Sequence, residues 1–257
     1  MANLIRSAKS SSDWTDDELE AYDITFLSLP PDEFFPNPDP SLDHIDPVIL
    51  KSPPGDTNPT LSSAAFRYLS YLNCTIKSTE DFLAETFAFE TLKLLDFEWY
   101  PAIVHSHRAF PLAICGEANH VTHVDVCLVH NLSFILIEGK TLASGADAKA
   151  QVFQFNNRIR ISRGLNPLDS MIIPCFSMTK TRPTFYLVPV TTALDNAVIT
   201  GQYPATQTRV LQCVIEPHVL HITNGMEDVE YRKLALKRLL AFKTLAKSYW
   251  VHFLEGV

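Results

Sequence analysis

The run "HVTHVDVCLVHNLSFILIEGKT" at residues 120–141 narrows the fold more than any other feature of the chain. Two stretches rich in β-branched and large apolar residues flank "HNL", which predicts two strands joined by a tight turn near His130–Leu132. Asp125, Glu138 and Lys140 stand inside these apolar strands. Charges in such segments are costly unless they are paired or hold a metal. Side chains alternate along a strand, so Glu138 and Lys140 share a face with Phe134 and Leu136. On the preceding strand His123, Asp125 and Cys127 share a face, and a hairpin register can bring Asp125 near Glu138. Two carboxylates that close repel unless a cation lies between them, and hard oxygen ligands suit Mg²⁺ or Mn²⁺. A lysine beside such an ion can orient or deprotonate a water and offset charge on a phosphate. Metal-assisted phosphodiester hydrolysis requires this layout.

Residues 1–60 read differently from the rest. Segments such as "LPPDEFFPNPDPSLDHIDP" and "KSPPGDTNP" cannot sustain a helix or a central strand. The sequence therefore predicts an acidic, Pro-rich and largely extended N-terminal arm over 1–60, with a short helix in 13–22. Trp14, Phe26, Leu27, Phe34 and Phe35 suggest that part of it packs on a surface. The net charge of −8 belongs to this arm, which has 12 acidic and 3 basic residues, whereas residues 61–257 have 17 and 18. A near-neutral core can still present a basic groove.

Beyond residue 60 the periodicities predict one domain. "STEDFLAETFAFETLKLLDF" reads as a buried helix with Ser78 as its N-cap. "EWYPAIV", "FPLAICGE" and "HVTHVDVCLVH" read as strand, with a turn or bulge at Gly116–Asn119. A Gly/Ser linker follows Lys140, then a helix in "DAKAQVFQFNNRIRISRG" that Gly164 stops. "PTFYLVPVTT" and "TRVLQCVIEPHVLHI" read as two further strands. "DVEYRKLALKRLLAFKTLAKSYWVHFLEG" reads as a long C-terminal helix whose Lys/Arg stripe, Arg232 included, forms a solvated face. The fold class is α/β (α+β), a mixed sheet flanked by helices with a long C-terminal helix.

Asp125, a 12-residue gap and then Glu138-Gly139-Lys140 resemble the D-x(n)-(D/E)-x-K signature of the PD-(D/E)XK nuclease superfamily. The resemblance implies a restriction-endonuclease-like αβββαβ core over 61–257, with the acidic pair on a β-hairpin. It also implies a glutamate on the first helix, for which Glu85, eleven residues before Asp96-Phe97, is the choice and Glu90 the alternative. A glutamine early in the helix after the lysine is common in the superfamily, and here "QVFQF" offers Gln151 and Gln154. Gln151 followed by Phe155 resembles a Q-x-x-x-aromatic pattern. A valine precedes Asp125 where the name-giving proline would stand. The resemblance implies that Asp125, Glu138 and Glu85 bind Mg²⁺ or Mn²⁺, with Lys140 and Gln151 completing the catalytic set. Its expected partner is nucleic acid, DNA or RNA, and it allows a homodimer. "PLAICGE", "THVDVCLV", "FILIEGK", "QVFQFNN", "PTFYLVPVTT" and "LLAFK" are also similar to a large group of uncharacterised proteins from mushroom-forming (basidiomycete) fungi, over residues 80–250. That likeness implies a fungal, intracellular origin, cytoplasmic or nuclear, and supplies no biochemistry.

Lys149, Arg158, Arg160 and Arg163 form a basic stretch suited either to a phosphate backbone or to a solvated helix face. His120-x-x-His123-x-Asp125 invites a zinc reading, but His120 and His123 face opposite sides of a strand. His123 remains a candidate helper beside Asp125, whereas His105 and His107 read as exposed residues near a strand end. The chain has no G-x-S-x-G elbow, P-loop or G-x-G-x-x-G motif. No apolar run reaches the roughly 20 residues needed to span a bilayer. Five scattered cysteines without a CxxC pair argue for reduced thiols.

Overall fold

Alternating apolar residues on either side of Gly116 make a long antiparallel hairpin. In the computed structural model, which describes residues 16–138, 142–215 and 225–254, its arms are β2 (Ala102–Ile114) and β3 (Glu117–His130). The segments 98–104 and 110–117, read separately from sequence, thus belong largely to one strand. The turn is tighter than predicted and lies at Cys115 and Gly116, with φ 49° and 80°. β3 then pairs antiparallel with β4 (Ser133–Glu138) through a turn at Asn131 and Leu132, both at positive φ. That turn falls where the sequence placed it.

α5 (Leu142–Ser162) carries the chain to β5 (Ser170–Thr179), which lies parallel to β4. β5 pairs antiparallel with β6 (Arg182–Thr191), and β6 with β7 (Thr208–Val214). β1 (Ile24–Ser28) closes the far edge, parallel to β7, so the seven-stranded sheet has the order β1-β7-β6-β5-β4-β3-β2. Positions 126–129 of β3 and 173–178 of β5 are buried without a break, which means that both faces of the sheet are covered there. The architecture is the mixed α/β sheet that the sequence predicts. The expected α-β-β-β-α-β run is present as α4 (Asp81–Leu94), β2, β3, β4, α5 and β5.

Several local expectations change. Ser78 is the C-cap of α3 (Ser63–Lys77) rather than the N-cap of α4, although its Oγ accepts the Glu80 N–H at 3.0 Å. α4 ends with Asp96 at φ 53° and a Phe97 N–H to Leu92 O bond, so Asp96 fills the left-handed position that often takes glycine. The Gly/Ser segment after the hairpin is the first part of α5, not a linker. β5 escaped the sequence reading because Pro174 argues against an inner strand. It is tolerated because, among the described residues, β4 pairs with β5 at Cys175 and Phe176, leaving the Pro174 edge outside that ladder.

The segment expected to be a largely extended arm contributes more than α1 (Asp16–Ala21) and β1. Phe34 and Phe35 at the end of α2 (Pro31–Phe34), with Ile45 and Ile49, are buried in the core. α6 (Thr192–Thr200) presents its last carbonyls to the hairpin turn, where the Cys115 and Gly116 N–H groups bond Val198 O and Ile199 O at 2.9 and 2.7 Å. Phe242 of α7 (Val229–Leu254) meets Phe176 and Phe185 at 6.5 and 5.1 Å between ring centroids. The predicted solvated stripe of α7 is partly interior. Arg232 is fully buried, and Lys243 donates to Leu95 O at 2.8 Å. No helix among the described residues is long and apolar enough to cross a membrane.

Candidate metal centre

Three elements converge on one group of donors. Glu85 lies in the first half of α4, two residues before the fully buried Phe87, and it is 6% exposed. Asp125 is half-buried on β3. His107 sits on β2, opposite Asp125, between the register pairs Ser106↔Val126 and Arg108↔Val124. One ligand atom from each of the three lies within 4.8 Å of the others, with His107 Nδ1 4.0 Å from Glu85 Oε2. Ligand oxygens on one octahedral Mg²⁺ at about 2.1 Å lie about 3–4 Å apart, so modest side-chain rotation suffices to close the group on an ion. A buried carboxylate, a half-buried carboxylate and an imidazole are a fitting donor set for a divalent metal.

Of the two helix glutamates weighed from sequence, Glu85 is the one beside Asp125. Glu90 faces α3 instead, 3.5 Å from Arg67. Glu138 ends β4, and its register partner is Val126, the residue after Asp125. The hairpin thus carries Asp125 and Glu138 on adjacent strands, offset by one position, rather than as a direct cross-strand pair. The Glu138 side chain and the whole of Lys140 lie outside the described residues, as does the Lys149 side chain.

The two glutamines of α5 have different environments. Gln154 is fully engaged with Ala113, accepting its N–H and donating to its carbonyl, both at 3.2 Å. Gln151 is fully buried, and neither its Oε1 nor its Nε2 has a hydrogen-bond partner among the described residues. The basic residues of the same helix are latched to the fold. Arg158 donates to Pro111 O at 3.2 Å, Arg160 to Asn166 O at 3.0 Å and Arg163 to Asn131 O at 2.7 Å.

His107 is the member of the group that the sequence reading passed over as merely exposed. Its side chain is indeed 68% exposed, yet it reaches the Glu85 carboxylate. The missed signal was the turn: a hairpin centred on Gly116 sets 107 against 125, whereas a turn spread over Gly116–Asn119 does not. His123 pairs with Ala109 and His120 with Leu112, and neither belongs to the donor group. Near the group, burial pushes the Cys127 thiol up to about 12, with Arg108 opposing, so it stays a neutral thiol. Burial likewise lowers His105, aided by Arg108, while Glu98 pulls it back up. The chain matches no protein-family model and no curated protein.

Proposed function

We propose that the chain is a metal-dependent nuclease hydrolysing phosphodiester bonds in DNA or RNA. The observation that carries this reading is the approach of a buried helix glutamate, Glu85, to Asp125 of the β3–β4 hairpin, within the α4-β2-β3-β4-α5-β5 run. Asp125, Glu138 and Glu85 would hold Mg²⁺ or Mn²⁺. A bound divalent ion supplies charge neutralisation for the phosphate and a lowered pKa for water. Lys140 would position the attacking water or help remove its proton. Gln151 would orient that lysine or water, and a buried amide without another partner among the described residues suits the role. Arg158, Arg160 and Arg163 would face the phosphate backbone. Each carbonyl latch uses one of a guanidinium's five N–H donors. Lys149 would join them.

The test is cleavage of single- and double-stranded DNA and RNA with Mg²⁺ or Mn²⁺. We expect cutting that EDTA abolishes and that Glu138→Ala and Lys140→Ala each reduce by at least about a hundredfold. Activity surviving either substitution would sink the assignment. A folded protein that binds no divalent ion and cuts nothing would instead fit a binding or regulatory module built on the same fold.

A further inference from the structure

We propose that His107 makes this centre selective for a first-row transition ion, with Mn²⁺ bound in preference to Mg²⁺. The inference rests on the metal site of the reading above, but not on that site being catalytic. Carboxylates alone discriminate poorly between these two ions, since both accept hard oxygen donors. Mg²⁺ demands oxygen ligands and sheds water reluctantly, whereas an imidazole nitrogen is a good ligand for first-row transition ions. One nitrogen added to two carboxylates therefore shifts the preference from the alkaline-earth ion to the transition series, of which Mn²⁺ is the weakest-binding and hence the most stringent member.

A second observation points the same way. His107 has φ 51°, in the left-handed region that L-residues with a Cβ occupy at a cost. No core packing demands a side chain there, because His107 is 68% exposed. Its imidazole nonetheless lies across from Asp125 and reaches Glu85. Strained positions of this kind cluster where a side chain is held for a ligand. A plain ion pair between His107 and Glu85 is the competing account, and a cation that cannot ligate separates the two.

The full-length protein should be titrated with MnCl₂ and, separately, MgCl₂ by calorimetry, beside His107→Gly and His107→Lys. Glycine relieves the left-handed backbone and removes the imidazole, so the metal-free His107→Gly protein should melt no lower than wild type. Lysine places a positive charge beside Glu85 but ligates poorly. Wild type should bind Mn²⁺ at least about tenfold more tightly than Mg²⁺, and both variants should lose most of that ratio. The Mg²⁺ affinity of His107→Gly should stay within about twofold of wild type, whereas the lysine charge should weaken both ions. Equal affinities in wild type, or an Mn²⁺ preference unchanged in both variants, would overturn the proposal, as would failure of Mn²⁺ to bind. His107-dependent Mn²⁺ binding without cleavage would uphold it and remove the nuclease reading. Cleavage with no His107-dependent preference would do the reverse.

Discussion

Asp195 shows how one carboxylate can set a pH dependence away from the candidate metal centre. It lies in the first turn of α6, whose N-cap Thr191 accepts the Leu194 N–H at 3.2 Å. Burial pushes its pKa from 3.8 up to about 6, against the pull of a Gln154 hydrogen bond and of Arg158. A carboxyl raised on folding binds its proton more tightly in the native state, so the native state is favoured while the proton is on. Stability is then lost as pH rises from about 4 to about 6, and the loss is complete above that. Asp195→Asn should remove this slope. Above pH 6 the variant should be more stable than wild type by on the order of 2 kcal/mol, allowing for partial solvation, and below about pH 4 the two should coincide. Urea midpoints of both proteins between pH 3.5 and 7.5 check this, and parallel curves would refute it. His107 works at the same scale, because its role depends on the backbone angle of a single residue.

At the scale of elements, α5 fixes the sheet at its irregular points. The β2–β3 register shifts between Leu112 and Ile114, and the β3–β4 register between Leu128 and Val129. At the first irregularity Gln154 bonds both the N–H and the carbonyl of Ala113. At the second Asn156 does the same for Phe134, at 2.8 Å each way, while Phe155 packs edge-on against the Phe134 ring at 5.2 Å. Backbone groups that the ladder leaves over are thus satisfied from the helix. Two residues in the sequence "QFN" dock the helix that also bears Gln151. Asn156 is 1% exposed, so Asn156→Ala should strand two buried backbone groups and cost about 2–4 kcal/mol. Asn157, which bonds Leu168 through a half-buried pair, should cost about 1 kcal/mol as alanine. Guanidinium denaturation of the two variants measures the difference, and equal losses would contradict the docking role.

At the scale of the molecule, the acidic N-terminal segment is joined to the C-terminal helix. Fully buried Arg232 donates through Nη1 to Ile49 O and Ser52 O at 2.8 and 2.7 Å and through Nε to Met226 O at 2.7 Å. Burial lowers its pKa, while nearby Tyr68, Asp228 and Glu227 oppose that. Lys237 meets Asp39 at 2.8 Å, and Arg238 bonds Pro38 O. The exposed Lys237–Asp39 pair contributes little, but the buried guanidinium and the core residues Phe35 and Ile49 contribute more. A chain starting at residue 61 would lack β1, those side chains and two of the Arg232 acceptors. We expect it to lose its cooperative thermal transition and near-ultraviolet circular dichroism. A sharp melt within a few degrees of the full chain would show that the segment is dispensable.

Strand parity, the tight turn at 131–132 and the apolar stripe of α7 follow from local chemistry, and all were legible in the sequence. Glu85 was singled out by the resemblance, which implies a glutamate about eleven residues before the turn at Asp96-Phe97. Register was not legible. A hairpin turn displaced by one or two residues changes every cross-strand partner, and only the folded hairpin sets His107 against Asp125 and Glu138 beside Val126. Burial of the basic stripe was equally hidden, because Arg232 is interior only where residues 49–52 arrive from the far end of the chain. The sequence by itself determined which residue types could bind a metal. The tertiary structure decided which of them meet, because contact between distant strands and helices depends on register and packing that no local pattern encodes.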